Sequence, residues 1–136
     1  MQNDTIHASP HPCPFCAYDE QRVVWADTLV IALTDAYPVS PGHTLVVPRR
    51  HVATYFDATP DEQASIWAGV REVKGMLEQS LQPDGYNVGF NAGVAAGQTV
   101  AHAHVHVIPR FSGDVDDPRG GVRWVVPTKA AWWSTP

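Results

Sequence analysis

The chain lacks most of what would place it in a specialised class. Two cysteines in 136 residues are too few for a disulfide-dense secreted scaffold. Charged residues are only 17 % against 44 % apolar ones, a balance that excludes a disordered chain or a coiled coil. No apolar run approaches the ~18 residues a membrane span needs. There is no Lys/Arg run and the net charge is −5, so neither a nucleic acid nor a membrane surface is an expected partner. The opening Met1-Gln2-Asn3-Asp4 lacks the basic and then apolar pattern of an export signal. The expectation is one cytoplasmic globular domain over 1–136, large enough to bury roughly two-thirds of its unfolded surface. A small anionic ligand stays compatible with the acidic balance where local donors outweigh it.

What is present has a clear order. Residues 1–12 are polar, with Pro10 and Pro12, and read as a flexible lead-in carrying His7 and His11. Val23–Thr34 reads as two short strands broken near Asp27, and His43–Val47 as a third ended by Pro48. Thr59-Pro60-Asp61-Glu62 supplies an N-cap, a proline at the first helical position and a capping-box glutamate. Ile66, Val70, Val73, Leu77 and Leu81 then recur at helical spacing, up to Pro83-Asp84-Gly85. Tyr86, Val88 and Phe90 alternate with polar residues or glycine, and Gly93–Gly97 is a turn. Val100–Ile108 reads as a strand stopped by Pro109. The tail over 111–136 holds Trp124, Trp132 and Trp133 and shows no assignable element. Strands around one main helix, without regular alternation, predict an α+β fold with a largely antiparallel sheet.

The histidines carry the chemistry. His102, His104 and His106 alternate with Ala103, Val105 and Val107, so one strand face would present three imidazoles. One metal ion cannot take all three, because the outer two would lie about 13 Å apart along a strand. A His-x-His site of the cupin kind needs a glutamate soon afterwards, and the last in the chain is Glu78. A metal-dependent barrel would need far more chain after the motif. Nucleophilic use remains: a neutral imidazole attacks phosphorus without a separate base, and a neighbouring imidazole, when protonated, stabilises charge on the phosphoryl oxygens. Just before the row, Gly97-Gln98-Thr99 offers backbone N–H groups, an amide and a hydroxyl for an anion, in a chain with few lysines.

At these residues the sequence resembles the histidine triad (HIT) family of nucleotide hydrolases and transferases. His102-Ala103-His104-Val105-His106-Val107-Ile108 matches the family's alternation of histidine and apolar residues at every position. The resemblance takes in Pro41-Gly42-His43, Pro48-Arg49-Arg50-His51, Asn91-Ala92-Gly93 and Gly97-Gln98-Thr99, over roughly 100 residues. It implies that His104 attacks the α-phosphorus to form a nucleotidyl-histidine that water hydrolyses, and that His106 stabilises the phosphate oxygens. It also implies phosphate contacts from Gln98 and Thr99, a polar contact from Asn91 and ribose hydroxyls on Asp35. Phe15, Leu33 and, loosely, Tyr18 align with the base pocket. Competing readings stand beside these. Asp35 and Asn91 also suit plain turns, Phe15 and Leu33 plain core, His43 a support for the triad, and Arg110 either a distal phosphate or solvent. The resemblance further implies a homodimer with a continuous sheet, which suits five tryptophans in a short chain. Leaving-group recognition is expected around Arg123-Trp124 and Trp132-Trp133. The alternative function is a zinc-stabilised nucleotide-binding module with incidental turnover.

Cys13-Pro14-Phe15-Cys16 suggests zinc or redox chemistry. A thioredoxin-like motif needs a strand before it, and too little chain precedes Cys13. His51 and His102 are the further candidate ligands, an arrangement that resembles some bacterial HIT members. With Cys13 and Cys16 they would close a structural zinc site. His43 in place of either histidine, or two cysteines packed as plain apolar residues, are the alternatives.

Overall fold

A computed structural model describes residues 13–134. The lead-in over 1–12, with His7 and His11, lies outside the described residues. Five strands form one antiparallel sheet in the order β1-β2-β3-β5-β4: β1 Val23–Ala26, β2 Val30–Thr34, β3 Thr44–Pro48, β4 Gly85–Gly89 and β5 Val105–Arg110. The main helix, α1, spans Pro60–Ser80. Among the described residues no helix is long and apolar enough to cross a membrane.

The break between β1 and β2 falls at Asp27, whose Oδ1 accepts the N–H groups of Leu29 and Val30. The central strands are buried on both faces. Val30, Ala32, Val46, Val105 and Val107 face α1 and meet Ile66, Val73 and Leu77. Ile31, Leu33, Leu45 and Val47 face the other way and are covered by Phe15. The segment containing the cysteines thus packs on the sheet face opposite the helix. Gly69 lets α1 approach closely, since a Cβ there would lie 2.9 Å from Val46 Cγ1 and from Trp25 Cζ3.

Helix α1 starts as its sequence dictates. The Thr59 hydroxyl accepts from Glu62 N–H, and Glu62 Oε1 accepts from Thr59 N–H. Of the predicted apolar stripe, Ile66, Val73 and Leu77 are buried, whereas Leu81 is an exposed C-cap. The helix ends before Pro83 because Gln82 turns left-handed (φ 48°) and its N–H caps the Leu77 carbonyl.

The triad segment departs from the sequence reading. Strand β5 begins at Val105, not Val100, and continues through Pro109 to Arg110, where it pairs only with β4. Residues 100–102 bend instead, and the Ala103 N–H bonds the Val52 carbonyl. The tail resolves into 3-10 turns at Gly121–Val125 and Trp132–Ser134 around a short helix, α2, over Pro127–Ala130. Arg123 holds this arm together by donating to the carbonyls of Ala130 and Lys129.

Candidate active site

Strand alternation continues back from β5 for one histidine and then stops. Val105, Val107 and Pro109 are buried on the helix side, while His104, His106 and Ile108 are half-buried on the other. The His104 and His106 rings lie 5.2 Å apart between centroids. His102 leaves the row. It is fully buried, and its Nε2–H donates to the Pro48 carbonyl at 2.8 Å. The predicted face of three imidazoles is a pair plus one, because the bend before β5 rotates His102 toward the cysteines.

Hydrogen bonds define the tautomers. His104 Nδ1 lies 2.8 Å from the His102 carbonyl, which only accepts, so Nδ1 carries the proton and Nε2 keeps a free lone pair. His43 Nδ1 accepts the Val39 N–H at 3.1 Å, so its proton sits on Nε2. That proton is donated to His106 Nδ1 at 3.0 Å, with Asp35 Oδ2 beside it at 3.4 Å. His106 therefore presents Nε2–H as a donor. Asp35, His43 and His106 place potential ligand atoms within 4.8 Å of one another. The proton on His43 Nε2 makes this a hydrogen-bond chain and leaves that nitrogen no lone pair for a metal.

Burial pushes His104 below the ordinary imidazole range, against the helpful bond to the His102 carbonyl and the charge of Asp35. It pushes His106 down to about 4, reinforced by the neighbouring His104 and His43. His43 is lowered by burial as well, partly offset by Asp35. His106 thus acts near neutral pH as a neutral N–H donor. The His106 ring signal in a proton NMR titration should stay that of a neutral imidazole through pH 6 and move only as the pH nears about 4. A signal titrating at the ordinary imidazole value would contradict this geometry. Below about pH 6.5 the unfolded chain takes up a proton that folded His106 refuses, so this contribution is present above that pH and is lost as pH falls toward 4.

The remaining predicted residues divide. Asp35 meets the imidazoles with one oxygen and with the other accepts the Tyr37 N–H, a turn bond. Asn91 lines a recess of about 340 Å³ with His43, His106, Val39 and Ile108. Thr99 is exposed in the turn before the triad. Gln98 is buried and commits its amide internally: Oε1 accepts from Gly93 N–H, and Nε2 donates to the carbonyls of Ala53 and Val100. It braces the turn rather than offering a free donor to phosphate. Leu33 and Phe15 sit inside the core and expose almost no surface to a base. Phe15 instead packs against His104, with ring centroids 4.9 Å apart. Arg110 is occupied by both carboxylate oxygens of Asp114 and by Asn87.

Cys13, Cys16, His51 and His102 converge. The Cys13 carbonyl accepts the N–H groups of Cys16 and Ala17, closing a turn that aims both thiols one way. Cys13 Sγ lies 3.3 Å from His102 Nδ1, Cys16 Sγ 3.2 Å from His51 Nδ1, and the two Nδ1 atoms 3.1 Å apart. All four potential ligand atoms lie within 4.8 Å of one another. The bond from His102 Nε2–H to Pro48 leaves Nδ1 as a lone pair aimed at the cysteines, the outer-shell arrangement of a metal-binding histidine. Two thiols and two imidazoles suit zinc in a closed tetrahedral site.

One contributor was missed from the sequence. Arg50 makes a two-pronged ion pair with buried Glu62 (Nη2–Oε1 2.8 Å), tying the segment that carries His51 to the start of α1. No local signal marks it, because its partner lies twelve residues away in the capping box of α1. The tail also builds a second cavity of about 640 Å³, lined by Trp124, Val115 and Asp116. It shares Val39, Asn87, Ile108 and Val122 with the His106 recess.

Comparison with known proteins agrees with this geometry. The chain is 38 % identical over 96 residues to an asymmetrical bis(5'-nucleosyl)-tetraphosphatase of Schizosaccharomyces pombe, covering 71 % of this chain and 53 % of that protein. It is 39 % identical over 104 residues to an AP-4-A phosphorylase of Mycobacterium tuberculosis, covering 76 % and 53 %. The chain spans about half the length of these two curated relatives. A zinc-bound histidine triad family protein of Mycobacterium smegmatis superposes with a TM-score of 0.69 at 30 % identity, over 90 % of this chain and 96 % of that one. The HIT domain itself matches residues 18–113, and with the paired imidazoles of β5 on an antiparallel sheet, the chain belongs to the HIT domain family.

Proposed function

We propose that the chain cleaves a nucleotide conjugate at its α-phosphorus through a covalent intermediate on His104. The observation that carries this is the bond from His104 Nδ1–H to the His102 carbonyl, which leaves Nε2 as an unprotonated nucleophile beside His106. Nε2 forms a bond to phosphorus as the bond to the leaving group breaks. The His106 Nε2–H donates to a phosphoryl oxygen while charge develops. Water then takes the nucleotidyl group from His104. Asp35 holds the ribose hydroxyls, and Asn91 and Thr99 contact phosphate. Family membership supports nucleotide hydrolase or transferase chemistry in general. The substrate class is a dinucleoside polyphosphate or an adenylyl conjugate. Incubation with diadenosine tetraphosphate and with amine-linked adenylates, with and without inorganic phosphate, tests the reading. Release of a nucleoside monophosphate is expected from at least one. Added phosphate shows which acceptor takes the nucleotide. Nucleotide binding without release from any substrate would favour the binding-module alternative.

The same reading includes a homodimer and a structural zinc on Cys13, Cys16, His51 and His102. Strand β4 is a sheet edge. Beside it lie Phe90 stacked on Tyr55, exposed Phe56 and exposed Trp67, whose Nε1–H donates to the Tyr55 hydroxyl. A second copy would cover this apolar patch and the open edge together. Light scattering should give about twice 14.9 kDa, and Trp67→Glu should shift it toward the single-chain mass. A wild-type mass of one chain at micromolar concentration would contradict the dimer.

A further inference from the structure

We propose that Cys13 and Cys16 are a peroxide-sensitive pair whose closure into a disulfide disables His104. This deepens the reading of His104 as nucleophile and rests on it.

Three observations converge. The two sulfurs lie within 4.8 Å of each other. The bonds from Cys16 and Ala17 N–H to the Cys13 carbonyl, at 3.2 and 3.0 Å, close a turn. Such a turn holds the two Cα atoms under about 7 Å apart, near the span a disulfide bridges. The pair is also accessible from one side, because Cys16 is exposed and Cys13 half-buried. That asymmetry assigns the order of reaction. Cys16 attacks a hydroperoxide, giving a sulfenic acid and one water (or alcohol). Cys13 then attacks the Cys16 sulfur and releases a second water. Two sulfurs supply the two electrons that reduce one peroxide bond.

The consequence reaches His104 through two of the contacts that hold its ring, Phe15 and the His102 carbonyl. Phe15 sits between the cysteines, and its ring packs on His104 at 4.9 Å and edge-on to His102 at 5.8 Å. The carbonyl that fixes the His104 tautomer belongs to His102, whose Nδ1 lies 3.3 Å from Cys13 Sγ and 3.5 Å from Cys16 Sγ. Cys13 also packs against the Phe15 cluster. Drawing the sulfurs into a bond withdraws two donors from any ion between them and moves Phe15 and His102 together. An ion held there would leave as the bond forms.

The test treats the reduced, zinc-loaded full chain with a few equivalents of hydrogen peroxide. Each chain should become lighter by two hydrogen atoms, with peptide mapping joining Cys13 to Cys16. A chromogenic chelator should read release of the bound zinc in step with this. The His104 ring signals in a nitrogen-correlated NMR spectrum should shift. Nucleotide release should fall about tenfold or more, recovering with thiol reductant and zinc. In Phe15→Leu the disulfide should still form, with a smaller shift at His104. Added oxygen atoms, a bridge between chains, or unmoved His104 signals in the closed form would each overturn the proposal. If neither redox form turns over any substrate, the catalytic reading of His104 fails, and the ring signals still decide this one.

Discussion

Replacing His104 by alanine should abolish nucleoside monophosphate release while leaving nucleotide binding nearly unchanged. The loss should be about three to six powers of ten, the scale for removing a covalent nucleophile. His106 cannot substitute, because its Nδ1 accepts the His43 proton and its Nε2 is protonated. The cost to the fold should be small. His104 is half-buried and precedes β5, so its removal leaves the sheet ladder intact and frees one carbonyl, that of His102. Rapid mixing of wild type with substrate, then mass analysis under alkaline conditions, should show a nucleotidyl adduct that the variant lacks. Turnover equal to wild type in His104→Ala would rule out the mechanism. His106→Ala should behave differently. It removes a neutral hydrogen bond from the transition state, so a loss of about two to three powers of ten is expected, with the adduct still detectable.

The two variants show how far the sequence carries. Thr59, Pro60 and Glu62 determine the start of α1 by local hydrogen bonds, and such information is written in neighbouring residues. The alternation from His104 to Arg110 is equally local. What was not legible depends on residues distant in the chain. His102 was a candidate partner of the cysteines from the resemblance, but the bend that takes it out of the row was not legible, because it depends on the Pro48 carbonyl 54 residues away. Gln98 looks like a phosphate donor until the carbonyl of Ala53, 45 residues away, takes one of its hydrogens. Phe15 and Leu33 look like pocket walls because an apolar residue has the same sequence signature in a core as beside a ligand. The protonation state of His106 is not legible for the same reason, since burial and the His43 tautomer are tertiary facts.

Treatment with a strong chelator should lower the melting temperature of the wild type by on the order of 10 °C. The four residues join three separate parts of the chain: the segment before β1, the segment after β3 and the bend before β5. Among the described residues, the first is otherwise held mainly by Phe15 in its core cluster. A ligand present at about a thousand times its dissociation constant stabilises the folded state by about 4 kcal/mol. For a domain of this size that corresponds to roughly 10–15 °C. Burial raises the Cys16 thiol, and hydrogen bonding to Cys13 reinforces this, so without an ion the site favours protonated sulfur. A zinc ion reverses that preference by binding the thiolate, which makes affinity fall in acid as protons compete. Cys16→Ala separates metal loss from damage to packing, because Cys16 is exposed and fills no core volume. It should melt near the temperature of chelated wild type and respond little to further chelation. Metal analysis of untagged protein should give about one zinc per wild-type chain and far less in the variant. A wild type that melts identically with and without a strong chelator would leave the four side chains as a hydrogen-bonded cluster, with His102 held by Pro48 alone.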